Sequence, residues 1–273
     1  MSSIVIRRPK FGIRAEAVRA QKEPTNIGAA FFAALSATFP DGEGFFVRSV
    51  RRFAHRVDPK LAADVAAFAT QEAHHAGEHR AFNALAMQCG FDLNPITEHS
   101  QRHLSEAEKN TPPARLATTL ALEHFTTTLS REILRNPHHL EHFDMPSRNL
   151  WRWHALEEIE HKAVAFNVFE AIAADWSPLR RWLMRSWAII DGLARVSAIL
   201  WTGMRRLLPE TSAAAILYYL YVAPGPLRAI ALDLLYFFRP GFHPNDYDDG
   251  AMIATIAAEV AELNETSLRT AQA

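Results

Sequence analysis

At 273 residues, 49% of them hydrophobic and 22% charged, the chain has the balance of a folded protein and the length to bury a core without staples. A formal net charge of −1 supplies no field to gather nucleic acid, and the basic pairs Arg51-Arg52 and Arg205-Arg206 read as solvated helix faces. The one cysteine, Cys89, excludes an internal disulfide and reads as a small buried residue near a helix end rather than a nucleophile.

The first twenty residues lack the apolar run of a signal peptide, which points to a cytoplasmic protein. The chain then reads as helix after helix, with no defensible strand or hairpin. Residues 25–37 are apolar and Ala-rich and should end at Pro40, with Asp41-Gly42 capping a second stretch over about 43–55. Asp58-Pro59 places Asp at an N-cap and Pro at the first helical position, and that helix should run to Cys89, where Gly90 stops it. A shorter element is expected over about 100–110. Thr111-Pro112-Pro113 opens a long helix that ends near Asn136-Pro137, and Pro146-Ser147 opens another that runs to about 174. Ser177-Pro178 starts a fifth, ending near Leu208-Pro209. Apolar helices follow over about 213–222 and 227–238, and an amphipathic one over about 249–268.

Neither apolar C-terminal stretch reads as a membrane span. Arg185, Asp191 and Arg195 interrupt the first, and Pro224-Gly225-Pro226, Arg228 and Asp233 the second. Core or dimer-interface helices are the expectation, ahead of a surface resting on lipid. The whole chain is expected to form one domain: a bundle over about 26–175, with an extension over about 178–268 packed on it.

Chemistry concentrates in two motifs. QEAHHAGEHR contains Glu72-x-x-His75, and WHALEEIEHK contains Glu158-x-x-His161, with His154 one turn earlier. Residues three or four apart share a helix face, and His154, Glu158 and His161 fall within roughly 60° of arc. Two Glu-x-x-His pairs, with one further Glu from each of two other helices, are the ligand set of two-metal ferritin-like bundles. Glu123 fits in the nearly uncharged LATTLALEHFTTTL, on a stripe with Leu116, Leu120 and Thr127, where a carboxylate needs compensation. Glu43 shares the apolar stripe of Phe46, Val47 and Val50; the competing reading is an acid in a first helical turn. Four glutamates with neutral imidazoles carry four negative charges, which two divalent cations neutralise. A metal-free polar network in the core is the alternative. His79 reads as a neighbour of the ligands. His74, Glu78, His124, Glu157 and Glu160 default to solvent, and Trp151 and Trp153 to packing around His154.

FPDGEGFFVRSVR, FATQEAHHAGEHRAFN, ALEHFT, WHALEEIEHKAVAFNVF and FRPGFHPNDY resemble a bacterial family labelled predicted metal-dependent hydrolase, within the ferritin-like superfamily. Asn167 departs from the aspartate expected after the AF of HKAVAF. The site pattern also resembles the di-iron arylamine N-oxygenases, in which a third histidine joins the ligands. That resemblance implies the set Glu43, Glu72, His75, Glu123, His154, Glu158 and His161.

The fold class expected is therefore all-α: a ferritin-like four-helix bundle with a dinuclear metal site and a C-terminal helical extension. Two metal ions are expected, iron first, with manganese or a mixed pair as alternatives. The leading functional expectation is a di-iron oxidoreductase that activates O2, draws on an electron donor and oxidises a small apolar substrate. A two-metal hydrolase is the alternative, and a non-catalytic iron-binding protein a third. The C-terminal helices are expected to cap the bundle and line an apolar pocket, and a homodimer is compatible with that.

Overall fold

The computed structural model describes residues 4–23 and 25–272, with side chains through residue 261. It is helical, with no strand among the described residues. A short α1 (Ala15–Ala20) precedes the long helices α2 (Ile27–Arg51), α3 (Pro59–Gln88), α4 (Asn94–Glu108), α5 (Pro112–Arg135) and α6 (Met145–His161). Then come α7 (Val164–Ile172), α8 (Pro178–Leu207), α9 (Ala213–Tyr221), α10 (Pro226–Ala229), α11 (Ala231–Tyr236) and α12 (Gly250–Gln272).

Most starts and stops follow the local chemistry. Asp58 accepts from the N–H groups of Lys60 and Leu61 to cap α3, and Gly90 beyond its end takes φ +93°. Ser177 caps α8 through the Arg180 N–H. Cys89 is buried at the end of α3, its thiol donating to the Ala15 carbonyl.

Four boundaries differ from the sequence expectation. α2 does not end at Pro40 but continues through it. Proline lacks the N–H that would reach the carbonyl four residues back, which is that of Ser36. The Asn83 amide on α3 donates to that carbonyl instead, at 2.9 Å, so the helix passes without an orphaned acceptor. The helix expected over 146–174 is interrupted at Lys162 and Ala163, both near the right-handed helical region. Lys162 there donates to the Tyr247 carbonyl and to Asp249, and no Gly or Pro marks the place. α4 starts at Asn94, earlier than expected, with Pro95 in its first turn. The stretch over 227–238 is two short helices joined at Ile230.

Two apolar clusters divide the interior. One joins residues 30–35 and Ala37 of α2 with Phe82, Ala86, Phe125, Leu129, Trp151 and Trp153. The other joins Phe45, Phe46 and Val50 with Val65, Phe68, Leu116, Leu120 and the start of α7. Between them, each of α2, α3, α5 and α6 crosses a polar layer, and that layer is where the motif residues lie. No helix of the described residues is long and apolar enough to cross a membrane.

Candidate metal centre

The helices α2, α3, α5 and α6 each carry polar residues on the stripe that continues the apolar face, so the fold buries them together. Glu43 on α2, Glu72 and His75 on α3, Glu123 on α5, and His154, Glu158 and His161 on α6 are all at most 3% exposed. Because α2 is continuous, Glu43 stands in mid-helix, and the first-turn explanation for its charge does not apply. The seven residues fall into three overlapping groups: Glu43/His75/His154, Glu72/Glu123/His161 and Glu72/His75/Glu158. Within each, one potential ligand atom per residue lies within 4.8 Å of the others.

Glu158 is the hub. Its Oε1 lies 3.2 Å from His154 Nε2, 3.6 Å from His75 Nδ1 and 3.6 Å from His161 Nε2. His161 Nε2 is also 3.1 Å from Glu72 Oε1 and 3.3 Å from Glu123 Oε2, while Glu43 Oε1 is 4.0 Å from His154 Nε2. Two bonds of about 2.1 Å meeting at right angles put their donor atoms about 3 Å apart. These spacings suit donors that share an ion.

Hydrogen bonding provides the test of fit. Both oxygens of Glu43, Glu72 and Glu123, Oε2 of Glu158, Nδ1 of His75 and Nε2 of His161 are buried without a hydrogen-bond partner. Although His161 Nε2 approaches Glu72 and Glu123 closely, the angles do not make hydrogen bonds. Orphaned donors and acceptors are costly in a dry interior, and these nine, unlike the scattered orphans elsewhere, sit on groups of metal-ligating type that converge. The donor set fits divalent cations.

Electrostatics carries the same message. Burial raises the Glu43 carboxyl well above its usual range, and the charges of Glu72, Glu158 and Glu123 add to that. Burial likewise lifts Glu72 to about 8 and Glu123 to about 7, against the pull of His161. For Glu158 burial also raises, but His161 and His154 outweigh it and hold the carboxyl well below the usual range. His161 is disfavoured as a cation by burial, yet Glu158 and Glu123 raise it well above an ordinary histidine. Without metal, protons stand where positive charge is missing.

Outer contacts orient the imidazoles. His75 turns Nε2 to Glu157 Oε2 at 3.1 Å, leaving Nδ1 inward. His161 turns Nδ1 to Gln71 Oε1 at 3.0 Å, leaving Nε2 inward. Arg7 donates to both oxygens of Glu160 at 2.8 and 2.6 Å and to Glu157 at 3.3 Å, and Gln71 Nε2 donates to Glu160 and to the Val5 carbonyl. Burial lifts Glu157 to about 8 despite Arg7.

The expectation that Glu157, Glu160 and His124 face solvent is therefore wrong; all three are buried. His124 donates to the Asp233 carbonyl, and burial lowers its pKa to about 4. Gln71 and Glu157 were findable, because they share the helix stripes of His75 and of His154 and His161. Nothing near Arg7 in the chain announces its role. Trp151 and Trp153 pack around the histidines as expected. Asn167 accepts from His243 at 2.9 Å, away from the ligands.

A cavity of about 90 Å3 reaches the centre. Its inner end meets Glu43, His154 and Glu158, and Leu35, Phe39, Phe46, Leu122 and Phe125 form its walls. On α8, Asp191, Gly192, Arg195, Val196 and Ile199 close it, as expected for the C-terminal helices. α9, α10 and α11 do not line it, because α9 packs on α2 and the other two on α5.

An all-helical protein with a buried carboxylate–histidine centre able to hold metal ions is thus defined by fold and site. The chain belongs to the family described as predicted metal-dependent hydrolase, which it matches over residues 5–248. That description favours the hydrolytic alternative over the oxidoreductase reading. No curated protein and no solved structure matches the chain.

Proposed function

We propose that the chain is a two-metal enzyme of ferritin-like architecture acting on a small, largely apolar substrate. In this reading α2, α3, α5 and α6 form the four-helix bundle of a single domain, and the helices from α8 onward pack on it. The observation that carries it is the set of nine buried, partnerless ligand atoms on six converging residues. Glu43, Glu72, His75, Glu123, His154, Glu158 and His161 would hold the ions, and two divalent cations would balance the four carboxylates.

Such a pair supplies either acidified water for hydrolysis or, when it is iron, redox chemistry with dioxygen. The chain's own residues do the rest. Glu157 and Gln71 hold His75 and His161 as neutral ligands with the inward nitrogen unprotonated. Phe39, Phe46 and Phe125 exclude water from the approach and orient an apolar group toward His154 and Glu158.

Family membership supports the hydrolytic reading. One structural observation supports the oxidative one: on the cavity walls near the ligands, the hydroxyls of Thr38 and Thr126 are committed to the carbonyls of Leu35 and Glu123. The ionisable groups that line the cavity besides the ligands, His103, Asp191 and Arg195, come from α4 and α8 rather than from the ligand-bearing helices. Iron is the metal the donor set suits, with manganese or a mixed pair next, and the oxidative reading also requires an electron donor. Dimerisation through the exposed Leu183, Trp187 and Ile190 of α8 is part of the same proposal.

The deciding experiment loads the full chain with ferrous iron anaerobically, admits oxygen and follows absorption and Mössbauer spectra. In parallel, manganese- and zinc-loaded protein is assayed on aryl and alkyl esters. Oxygen uptake matched to iron oxidation, with inert esters, selects oxidation; ester turnover with redox-silent zinc selects hydrolysis. Fewer than two ions per chain after reconstitution sinks the proposal.

A further inference from the structure

His154 differs from the other two histidines in having no carboxylate or amide behind it. Its Nδ1 lies 2.8 Å from Nε2 of another histidine, His79, which is completely buried. His79 Nδ1 lies 2.8 Å from Ser36 Oγ, and Ser36 Oγ lies 2.6 Å from Asn83 Oδ1. A chain of this kind can run in either direction, because each imidazole and hydroxyl both donates and accepts. The two directions have opposite consequences. In one, His154 carries its proton on Nδ1 and offers a lone pair at Nε2. In the other, Nε2 bears the proton, 3.2 Å from Glu158 Oε1, and cannot ligate.

Asn83 resolves the choice. Its second amide atom sits 2.9 Å from the Ser36 main-chain carbonyl, which only accepts, so that atom is the NH2 group. The atom facing Ser36 Oγ is then the amide oxygen, which also only accepts. Ser36 must donate its O–H to Asn83, leaving Oγ to accept from His79 Nδ1–H. His79 Nε2 is left as an acceptor, and His154 donates Nδ1–H to it.

Pro40 makes the anchor available. It lacks the N–H that would occupy the Ser36 carbonyl in an unbroken helix, so the Asn83 amide meets an acceptor with no helical partner. From Pro40 to the metal centre every proton has one place.

We infer that Asn83, Ser36 and His79 are positioning residues that hold His154 in the single tautomer able to ligate, with Pro40 as the backbone feature that sets the direction. The inference rests on reading His154 as a metal ligand.

The test uses the full chain loaded with cobalt(II). Protons on the ring nitrogens of cobalt-bound imidazoles are strongly shifted in the NMR spectrum and vanish in D2O. The wild-type protein should show three such resonances, from His75, His154 and His161. Ser36→Ala should lose one and bind its weaker cobalt ion about 10–100-fold less tightly, the usual effect of removing an outer partner of a ligand. Ser36→Thr, which keeps the hydroxyl, should restore both. Should Ser36→Ala fail to fold, Asn83→Leu carries the same expectation, since it removes the amide that sets the direction. Three resonances and affinity within about twofold of wild type in either variant would overturn the relay while leaving the ligand set intact. Two resonances in the wild type would overturn it differently, by showing that His154 is not a ligand.

Discussion

Two of the buried clusters of charged side chains solve the same problem in opposite ways. On one side of α5, Arg131 donates through Nε and one terminal nitrogen to both oxygens of Asp249, at 2.9 and 3.0 Å. Lys162 adds a contact to Asp249 at 2.8 Å, and Asp233 stands 3.6 Å from Arg131. The buried Arg131 and the nearly buried Lys162 face Asp249 and the partly exposed Asp233, and the exposed Arg135 lies 3.9 Å from Asp249. Burial raises the Asp249 carboxyl, but Arg131 and Lys162 outweigh it and hold it below the ordinary range. In the polar layer between the apolar clusters, four carboxylates face three imidazoles, and nine ligand atoms have no partner. A buried charge is tolerated when it is paired, so the second cluster is complete only with charge from outside the chain.

The largest expected effect comes from breaking that completion. Stripping metal with a chelator should lower the thermal midpoint by about 10 °C or more, since ligand at a thousandfold excess over Kd stabilises by roughly 4 kcal/mol per site. Differential scanning calorimetry of stripped and reloaded protein measures it. The pH dependence should also separate the two forms. Glu72, at about 8, and Glu123, at about 7, keep protons in the folded metal-free chain that the unfolded chain releases near 4.5. His161, raised above 6.5, acts in the same sense. Their stabilisation is present below pH 4.5 and is lost as pH rises toward 8. Glu158, held below 4.5, works the other way only in more acidic solution. His75, His79, His124 and His142, all lowered by burial, gain stability as pH rises toward 6.5 and oppose this in the lower part of the range. Metal-free protein should therefore weaken between about pH 6.5 and 8, while the loaded protein gains relative to it because deprotonated ligands bind better. A stripped protein as stable as the loaded one at pH 8 would mean that the cluster closes without cations.

The balanced cluster predicts the converse. Asp249→Ala leaves Arg131, whose side chain is 2% exposed, without its main partner and should cost about 3–5 kcal/mol, because the stranded charge stays buried. The metal content of the folded fraction should stay at two per chain, since the ion pairs of Asp249 run to Arg131, Lys162 and Arg135 and to none of the seven ligand candidates. Loss of metal alongside stability would show that the two clusters are coupled through α5 and α6.

How much of this could be read from the chain depends on how local the governing contact is. The two Glu-x-x-His pairs, Glu123 and the Asp58-Pro59 start are patterns of neighbouring residues, and the structure places them where the helical period puts them. Pro40 was misleading because the acceptor it abandons is served by Asn83, 47 residues away from Ser36 on another helix. Arg7 and Glu160, 153 positions apart, are likewise joined only by the fold. Residue type alone points Glu157 and Glu160 to solvent, yet both are buried, and Glu157 shares a helix stripe with His154 and His161. Charged residues beside a buried polar centre follow that centre rather than their own average.

The smallest effect sharpens the remaining difference, that Glu43, His154 and Glu158 border a cavity lined by none of Arg131, Lys162 and Asp249. Gly42 stands on its wall, inside the unbroken α2, and a Cβ built there meets nothing within 4 Å. A mid-helix glycine costs roughly 0.5–1 kcal/mol relative to alanine, so a glycine at a site with room for a methyl group is not explained by packing. Keeping that space open for a substrate is the use the proposed function gives it. Gly42→Ala should raise the thermal midpoint by about 2 °C, an ordinary gain for removing a helical glycine in a chain of this size. Gly42→Leu should fill the cavity without reaching Glu43, keep both metals and abolish xenon uptake as followed by NMR, since dry apolar cavities take up xenon. Activity should then fall most for the bulkiest substrates. Unchanged xenon binding in Gly42→Leu would place the working space elsewhere and leave the centre without the approach described.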